Sequence, residues 1–139
     1  MQRTKITIET TVAVPVKQAW ELWTLPEHIT QWNFASDDWR CPTAQNDLRA
    51  GGRFSARMEA KDGSMGFDFG GQHDRVTLHQ QIDSTMEDGR KMSVVFSADG
   101  DKTRVVEIFE AEETNSVELQ RDGWREILNN FKKYAEASR

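Results

Sequence analysis

NSVELQRDGWREILNNFKKYAE, residues 115–136, decides how the rest of the chain must fold. Val117, Gln120, Trp124, Ile127, Leu128, Phe131 and Ala135 recur at the three- and four-residue spacing that gathers them on one face of an α-helix. Asn115, with Glu118 three residues on, predicts a capping box at its start, and the helix then runs for about twenty residues. Gly123 lies inside it at a cost of about 1 kcal/mol relative to Ala, which points to close approach by another element or by a ligand. An apolar face of this length has to be covered by the chain that precedes it.

The preceding chain keeps a different period. Residues 5–14, KITIETTVAV, alternate, with Ile6, Ile8, Thr10, Val12 and Val14 on one face of a half-buried strand. Pro15 suits the first position of a short helix in which Val16, Ala19, Trp20 and Trp23 share a stripe, and Pro26 starts a second in which Ile29 and Trp32 share a face. From Cys41-Pro42 onward short alternating segments are separated by Ala50-Gly51-Gly52, Asp62-Gly63, Asp88-Gly89 and Asp99-Gly100. Asp-Gly between alternating runs is a hairpin signal, because glycine accepts the positive φ that tight turns require. The resulting antiparallel meander directs inward Phe54, Ala56 and Met58, then Phe67 and Phe69, then Ile82, Ser84 and Met86, then Met92, Val94 and Phe96. Strand, two short helices, meander and long helix make an α+β layout. A curved antiparallel sheet must wrap around the C-terminal helix to bury both apolar faces, a helix-grip fold.

Composition sets the outer bounds. The 139 residues suit one domain over 1–139, without repeat or linker. A formal net charge of −5, with no basic cluster beyond Lys132-Lys133, argues against nucleic acid or an anionic membrane surface as partner. No apolar run reaches the roughly 18 residues of a membrane span, and no signal-peptide pattern opens the sequence, so the expected location is cytoplasmic. Cys41, the single cysteine, is consistent with a reducing compartment.

One stretch resists this periodic reading. QWNFASDDW, residues 31–39, places Trp32, Phe34 and Trp39 among turn-forming residues. Each ring has about 150–250 Å² to hide, so each must cover a core, a ligand or a partner. Trp32 completes the second helix's apolar face, and Ser36-Asp37-Asp38 would set Trp39 as a lid.

The segments VPVKQAWELWTLPEHITQW, NDLRAGGRF, DGSMGFDFGG and DGWREILNNFKKY, in that order, resemble the START/SRPBCC superfamily, in the branch similar to the C-terminal domain of the activator of the heat-shock-protein-ninety ATPase. The resemblance spans residues 6 to 136 and implies the helix-grip fold. It also implies one of two activities: holding a small apolar molecule such as a lipid or polyketide between sheet and helix, or contacting a chaperone ATPase. Similar proteins bound the cavity with the segments that here carry Trp32, Trp39, Phe67, Trp124 and Leu128.

Trp32, Trp39, Phe54, Met58, Phe67, Phe69, Met86, Phe96, Trp124 and Leu128, with Phe131, are therefore the expected lining of such a cavity, although packed core would use the same residues. In TRVVEIFEA either Val105, Glu107 and Phe109 or Val106, Ile108 and Glu110 point inward, and alternation leaves both registers open. An inward Glu107 would need a partner. His73 could supply it, which would give an acid/base pair for a cyclase or hydrolase. His28, His73, His79 and Cys41 show no metal-ligand spacing, Asp37-Asp38 reads as a solvated pair, and no metal or cofactor is expected. Cys41 has no evident activating base. Gly51-Gly52 and Gly70-Gly71 lack the helix a phosphate loop needs, and read as turns or bulges.

Overall fold

Strand β1 (Lys5–Val12) opens the fold, with Ile6, Ile8 and Val12 buried as the alternation requires. A computed structural model of the chain describes residues 3–137. Helix α1 (Val16–Thr24) starts one residue beyond Pro15, whose carbonyl accepts the Ala19 N–H at 2.9 Å. Helix α2 (Pro26–Trp32) begins on its proline, and the residue ahead of it, Leu25, is extended, as a residue preceding proline tends to be. The Trp32 indole N–H donates to the Leu22 carbonyl at 2.9 Å and locks the two helices together.

The meander follows: β2 (Trp39–Arg40), β3 (Ala44–Asn46), β4 (Arg53–Ala60), β5 (Gly66–Thr77), β6 (Gln81–Met86), β7 (Lys91–Asp99) and β8 (Lys102–Glu110). Gly63, Gly89 and Gly100 take positive φ at the three Asp-Gly turns, which join β4 to β5, β6 to β7 and β7 to β8. The sheet is antiparallel in the order β1-β8-β7-β6-β5-β4-β2, with β3 also on β4. First and last strands pair, and the two short helices carry the chain to the opposite edge. The strands then return one by one, and the sheet curls around α3 (Val117–Ala137). This is the helix-grip architecture that the periodicities predicted.

Three details of the sequence reading change. The cap of α3 is Ser116, whose hydroxyl accepts the Leu119 N–H at 3.1 Å; Asn115 instead donates its N–H to Glu112. A hydroxyl one residue nearer the helix holds the capping position, and the backbone turn places Asn115 outside it. Gly123 admits no close neighbour, since a Cβ there would meet nothing within 4 Å. The glycine pair of β5 does serve a close approach: a Cβ on Gly71 would lie 2.1 Å from the Thr85 carbonyl oxygen, and one on Gly70 2.6 Å from that of Phe54. The register irregularity itself falls just beyond, between His73 and Arg75.

These two kinds of glycine predict opposite responses to alanine. Gly123→Ala raises stability by about 0.5–1 kcal/mol through helix propensity alone, whereas Gly71→Ala lowers it by at least about 2 kcal/mol, because the β6 backbone at Thr85 and Met86 must shift. Urea denaturation of the two variants reads both signs, and a neutral Gly71→Ala would refute the close-approach account.

Candidate functional site

The concave face of the sheet is filled at one end and open at the other. At the α1 end, Trp23 packs against Trp32 at 4.8 Å between ring centroids and against Phe131 at 4.8 Å, and Phe96 meets Trp20 at 5.3 Å. Toward β3–β6 the inward positions carry Ala56 and Ser84, which are too short to reach α3. A cavity of about 290 Å³ remains there, partly open to solvent and mostly apolar in its walls. Pockets for small molecules start near this size, at about 300 Å³, and a closed apolar cavity of about 150 Å³ already holds benzene.

Of the predicted lining, Trp32, Phe54, Met58, Phe67, Phe69 and Trp124 face this cavity, as do Glu107 and His73. Phe67, 48% exposed, stands at the rim. Trp39, Met86, Phe96 and Leu128 are not among the lining residues. Trp39 pairs with Ala60 at the outer end of β4 and lies with its ring 5.9 Å from that of Phe67, so it backs the rim rather than lidding the space. Phe96 belongs to the filled end, under Trp20 and Trp23. Leu128 is wholly buried in the core beneath α3, and Met86 is buried at the end of β6, opposite Gly71. Alternation put Met86 and Phe96 inward and helical spacing did the same for Leu128, as their burial agrees, but neither period carries information on position along the face. Phe34, half-buried, follows Trp32 in a loop that the Asn130 amide ties to α3 through the Trp32 and Phe34 carbonyls.

Trp23, Ile29, Asn46, Ser84, Arg90 and Ile127 also line the cavity, although none was singled out from the sequence as a site residue. Ser84 carried the clearest signal, a polar residue at an inward position between Ile82 and Met86. It bonds His73, Oγ to Nδ1 at 2.9 Å, while His73 Nε2 lies 2.7 Å from Asn46 Oδ1. The Asn46 amide nitrogen donates to the Thr24 carbonyl at 2.8 Å, which turns its oxygen toward the imidazole. That orientation assigns the proton to His73 Nε2 and leaves Nδ1 to accept the Ser84 hydroxyl. Phe54 stacks on the ring at 4.8 Å, and burial pushes the imidazole pKa below its ordinary 6.5, with Asp47 and Asp74 opposing, so His73 is neutral at pH 7.

The register of β8 is settled by its neighbours: Val105, Glu107 and Phe109 point inward. Glu107 lies opposite Ile8 on β1 and Val94 on β7, both apolar and buried. His73 sits on β5 opposite Ser84, with β6 and β7 between it and β8, so the expected Glu107–His73 pair does not form. Glu107 is 5% exposed and has no hydrogen-bond or ion-pair partner among the described residues. Burial pushes its carboxyl from 4.5 up to about 8, which keeps it protonated at neutral pH. Arg90, the charged side chain on the same wall, is held by Asp88 at 2.7 Å and by the Glu110 carbonyl at 3.3 Å.

The remaining candidates have structural occupations. Cys41 is buried, donates weakly to the Thr43 carbonyl, and burial pushes its thiol pKa up, away from a thiolate nucleophile. His28 bonds the Tyr134 hydroxyl at 2.6 Å and joins α2 to α3. No group of three or more His, Cys, Asp or Glu side chains converges as metal ligands among the described residues, and no helix there is long and apolar enough to cross a membrane.

Stability must carry the signature of Glu107. Below pH 4.5 both folded and unfolded chains hold its proton; between 4.5 and about 8 only the folded chain keeps it, so stability falls as pH rises and levels off above about 8. Relative to Glu107→Gln, which stays neutral throughout, the native protein loses about 2–5 kcal/mol between about pH 5 and about pH 9. Parallel urea titrations across that range check this, and a constant difference would place the carboxyl in solvent.

Known proteins share this frame. The sequence profile of the family described as activator of Hsp90 ATPase homolog 1-like protein (AHSA1) matches residues 13–136. A solution structure of an AHSA1-like protein from Aeromonas hydrophila is 41% identical and superposes with a TM-score of 0.91 over 97% of this chain and 94% of that one. A solution structure of a Cytophaga hutchinsonii protein is 51% identical, with a TM-score of 0.82 over 96% and 93%. A Chromobacterium violaceum crystal structure shares only 15% identity but the same fold, at a TM-score of 0.85 over 96% and 98%. No curated protein matches the chain.

Proposed function

We propose, from the premise that the chain belongs to the activator of Hsp90 ATPase homolog 1-like family of the START/SRPBCC fold, that it is a binding protein for a small hydrophobic or amphipathic molecule. This fold commonly binds hydrophobic ligands. The observation that carries the reading here is the cavity of about 290 Å³ between sheet and α3, walled by Trp32, Phe54, Phe69 and Trp124 and supplied with a few buried polar groups. A well-packed interior leaves few voids larger than a water molecule, and filling one with a larger side chain at Ala56 or Ser84 would have cost nothing in topology. The volume suits a compound of one or two rings. No cofactor is needed for such a role, and a cytoplasmic setting fits a protein whose single cysteine is a buried free thiol.

Stimulation of a chaperone ATPase rests on the family's description, and a cyclase or hydrolase reading would have to use Glu107 and His73 separately, since they do not meet. The cavity favours ligand binding over both.

Thermal-shift titration and native mass spectrometry against one- and two-ring apolar compounds test the proposal. Binders raise the melting temperature with concentration and appear at one per chain. Ala56→Phe, which fills the cavity from β4, abolishes the response while the variant stays folded. A panel without binders, or binding that survives Ala56→Phe, overturns the reading.

A further inference from the structure

We infer that the ligand is uncharged where it meets the sheet and presents a hydrogen-bond acceptor, such as a ketone or ester carbonyl on a ring system, to the carboxyl group of Glu107. This inference deepens the binding reading above and rests on it. Its basis is a mismatch in the cavity wall: an inward, buried carboxyl that lines the space has no partner among the described residues, whereas the other buried polar side chains of the wall, His73 and Ser84, are engaged. His73 is satisfied on both nitrogens by Ser84 and Asn46, and Arg90 by Asp88 and the Glu110 carbonyl. Among the described polar side chains that are both buried and on this wall, His73, Ser84 and Glu107, only Glu107 is left to be completed from the cavity side.

Three ligand chemistries could complete it: a cation with the ionised carboxylate, an acceptor with the protonated acid, or a donor with the acid's carbonyl oxygen. The surroundings select the second. The elements flanking Glu107 present Ile8 and Val94, which offer no charge to stabilise a carboxylate, and the other titratable or charged groups on the cavity wall are His73 and Arg90. His73 is neutral and Arg90 is a cation already paired with Asp88, so beyond Glu107 itself no side chain described on this wall offers a cationic ligand an anion. A protonated acid in an apolar wall has one strong donor, and leaving that O–H without an acceptor costs more than leaving a carbonyl lone pair free. Trp124, stacked on Phe109 at 3.8 Å and set edge-on to Phe69 at 5.9 Å, lines the same cavity as Glu107 and favours a flat ring as the rest of the ligand.

Three naphthalenes of nearly equal shape test the inference: naphthyl methyl ketone, ethylnaphthalene and aminomethylnaphthalene, titrated by calorimetry against the native protein, Glu107→Gln and Glu107→Leu. At about pH 6.5 the ketone binds the native protein about tenfold more tightly than the hydrocarbon, the worth of one well-placed hydrogen bond. Raising the pH through about 8 removes that preference as Glu107 ionises. Glu107→Gln, whose amide N–H still donates, keeps the preference and loses its pH dependence. Glu107→Leu removes it while hydrocarbon affinity is retained. Stronger binding of the amine, or a ketone preference that survives Glu107→Leu, overturns the inference but leaves the binding reading intact, as does equal affinity for ketone and hydrocarbon. Absence of binding by all three overturns both.

Discussion

Helix α3 touches the concave side of the sheet through aromatic rings, and where those rings stand determines everything else. At the α1 end Phe131 meets Trp23 at 4.8 Å and Trp32 at 5.0 Å, closing the space between helix and sheet. About two turns earlier in the helix, Trp124 lies flat on Phe109, 3.8 Å between centroids and 9° between planes. Each ring hides about 150–250 Å², worth several kcal/mol at about 25 cal/mol per Å², so these contacts fix the height of the helix above the sheet. With the height fixed, the space elsewhere depends only on what the strands send inward. Ala56 and Ser84 send little, and the cavity is what they leave.

The same arrangement explains which residues support and which line. The sheet's inward face is continuous, but α1 and α2 cover one end of it, and Phe96 is consumed there as packing. Trp32 serves both ends: it packs on Trp23 and Phe131, its indole N–H holds the Leu22 carbonyl, and it still contributes to the cavity wall. The polar network from Thr24 through Asn46 and His73 to Ser84 ties the α1–α2 junction to β3, β5 and β6 on the far side of the cavity. Its links sit on separate strands of a curved sheet, so each bond also fixes the curvature at that point.

Much of this was legible in the sequence because it is local. The Asp-Gly turns, the proline-started α2 and the 3.6-residue face of α3 each follow from a few adjacent residues. What was not legible depends on placement between elements. Glu107 and Glu110 put a carboxylate on either face of β8, so only pairing with Ile8 and Val94 could decide the register. Trp39 has the composition of a lid but joins β4 too near its outer end to cover the cavity. Gly123 reads as a close contact until its neighbours are known to be absent. Ser84, by contrast, was visible as an inward polar residue, and asking what it bonds would have led to His73 before Glu107 did.

Folding alone does not account for Glu107. One inward step either side on β8, Val105 and Phe109 are fully buried and apolar, and a leucine between them would pack against Ile8 and Val94 without desolvating a carboxyl. Burial of an unpartnered acid stabilises nothing and forces it to hold a proton at a pH where it would otherwise ionise. Burial also drives His73 to the neutral form, so on both sides of the cavity the groups able to titrate near pH 7 are uncharged, His73 with both nitrogens bonded and Glu107 with no partner among the described residues. A mostly apolar wall whose charged side chain, Arg90, is paired with Asp88 and whose buried acid holds its proton fits the proposal that a ligand is recognised by polarity rather than by charge. On that proposal both groups have a use, whereas a packing defect would need neither and an ion-binding site would have kept their charges.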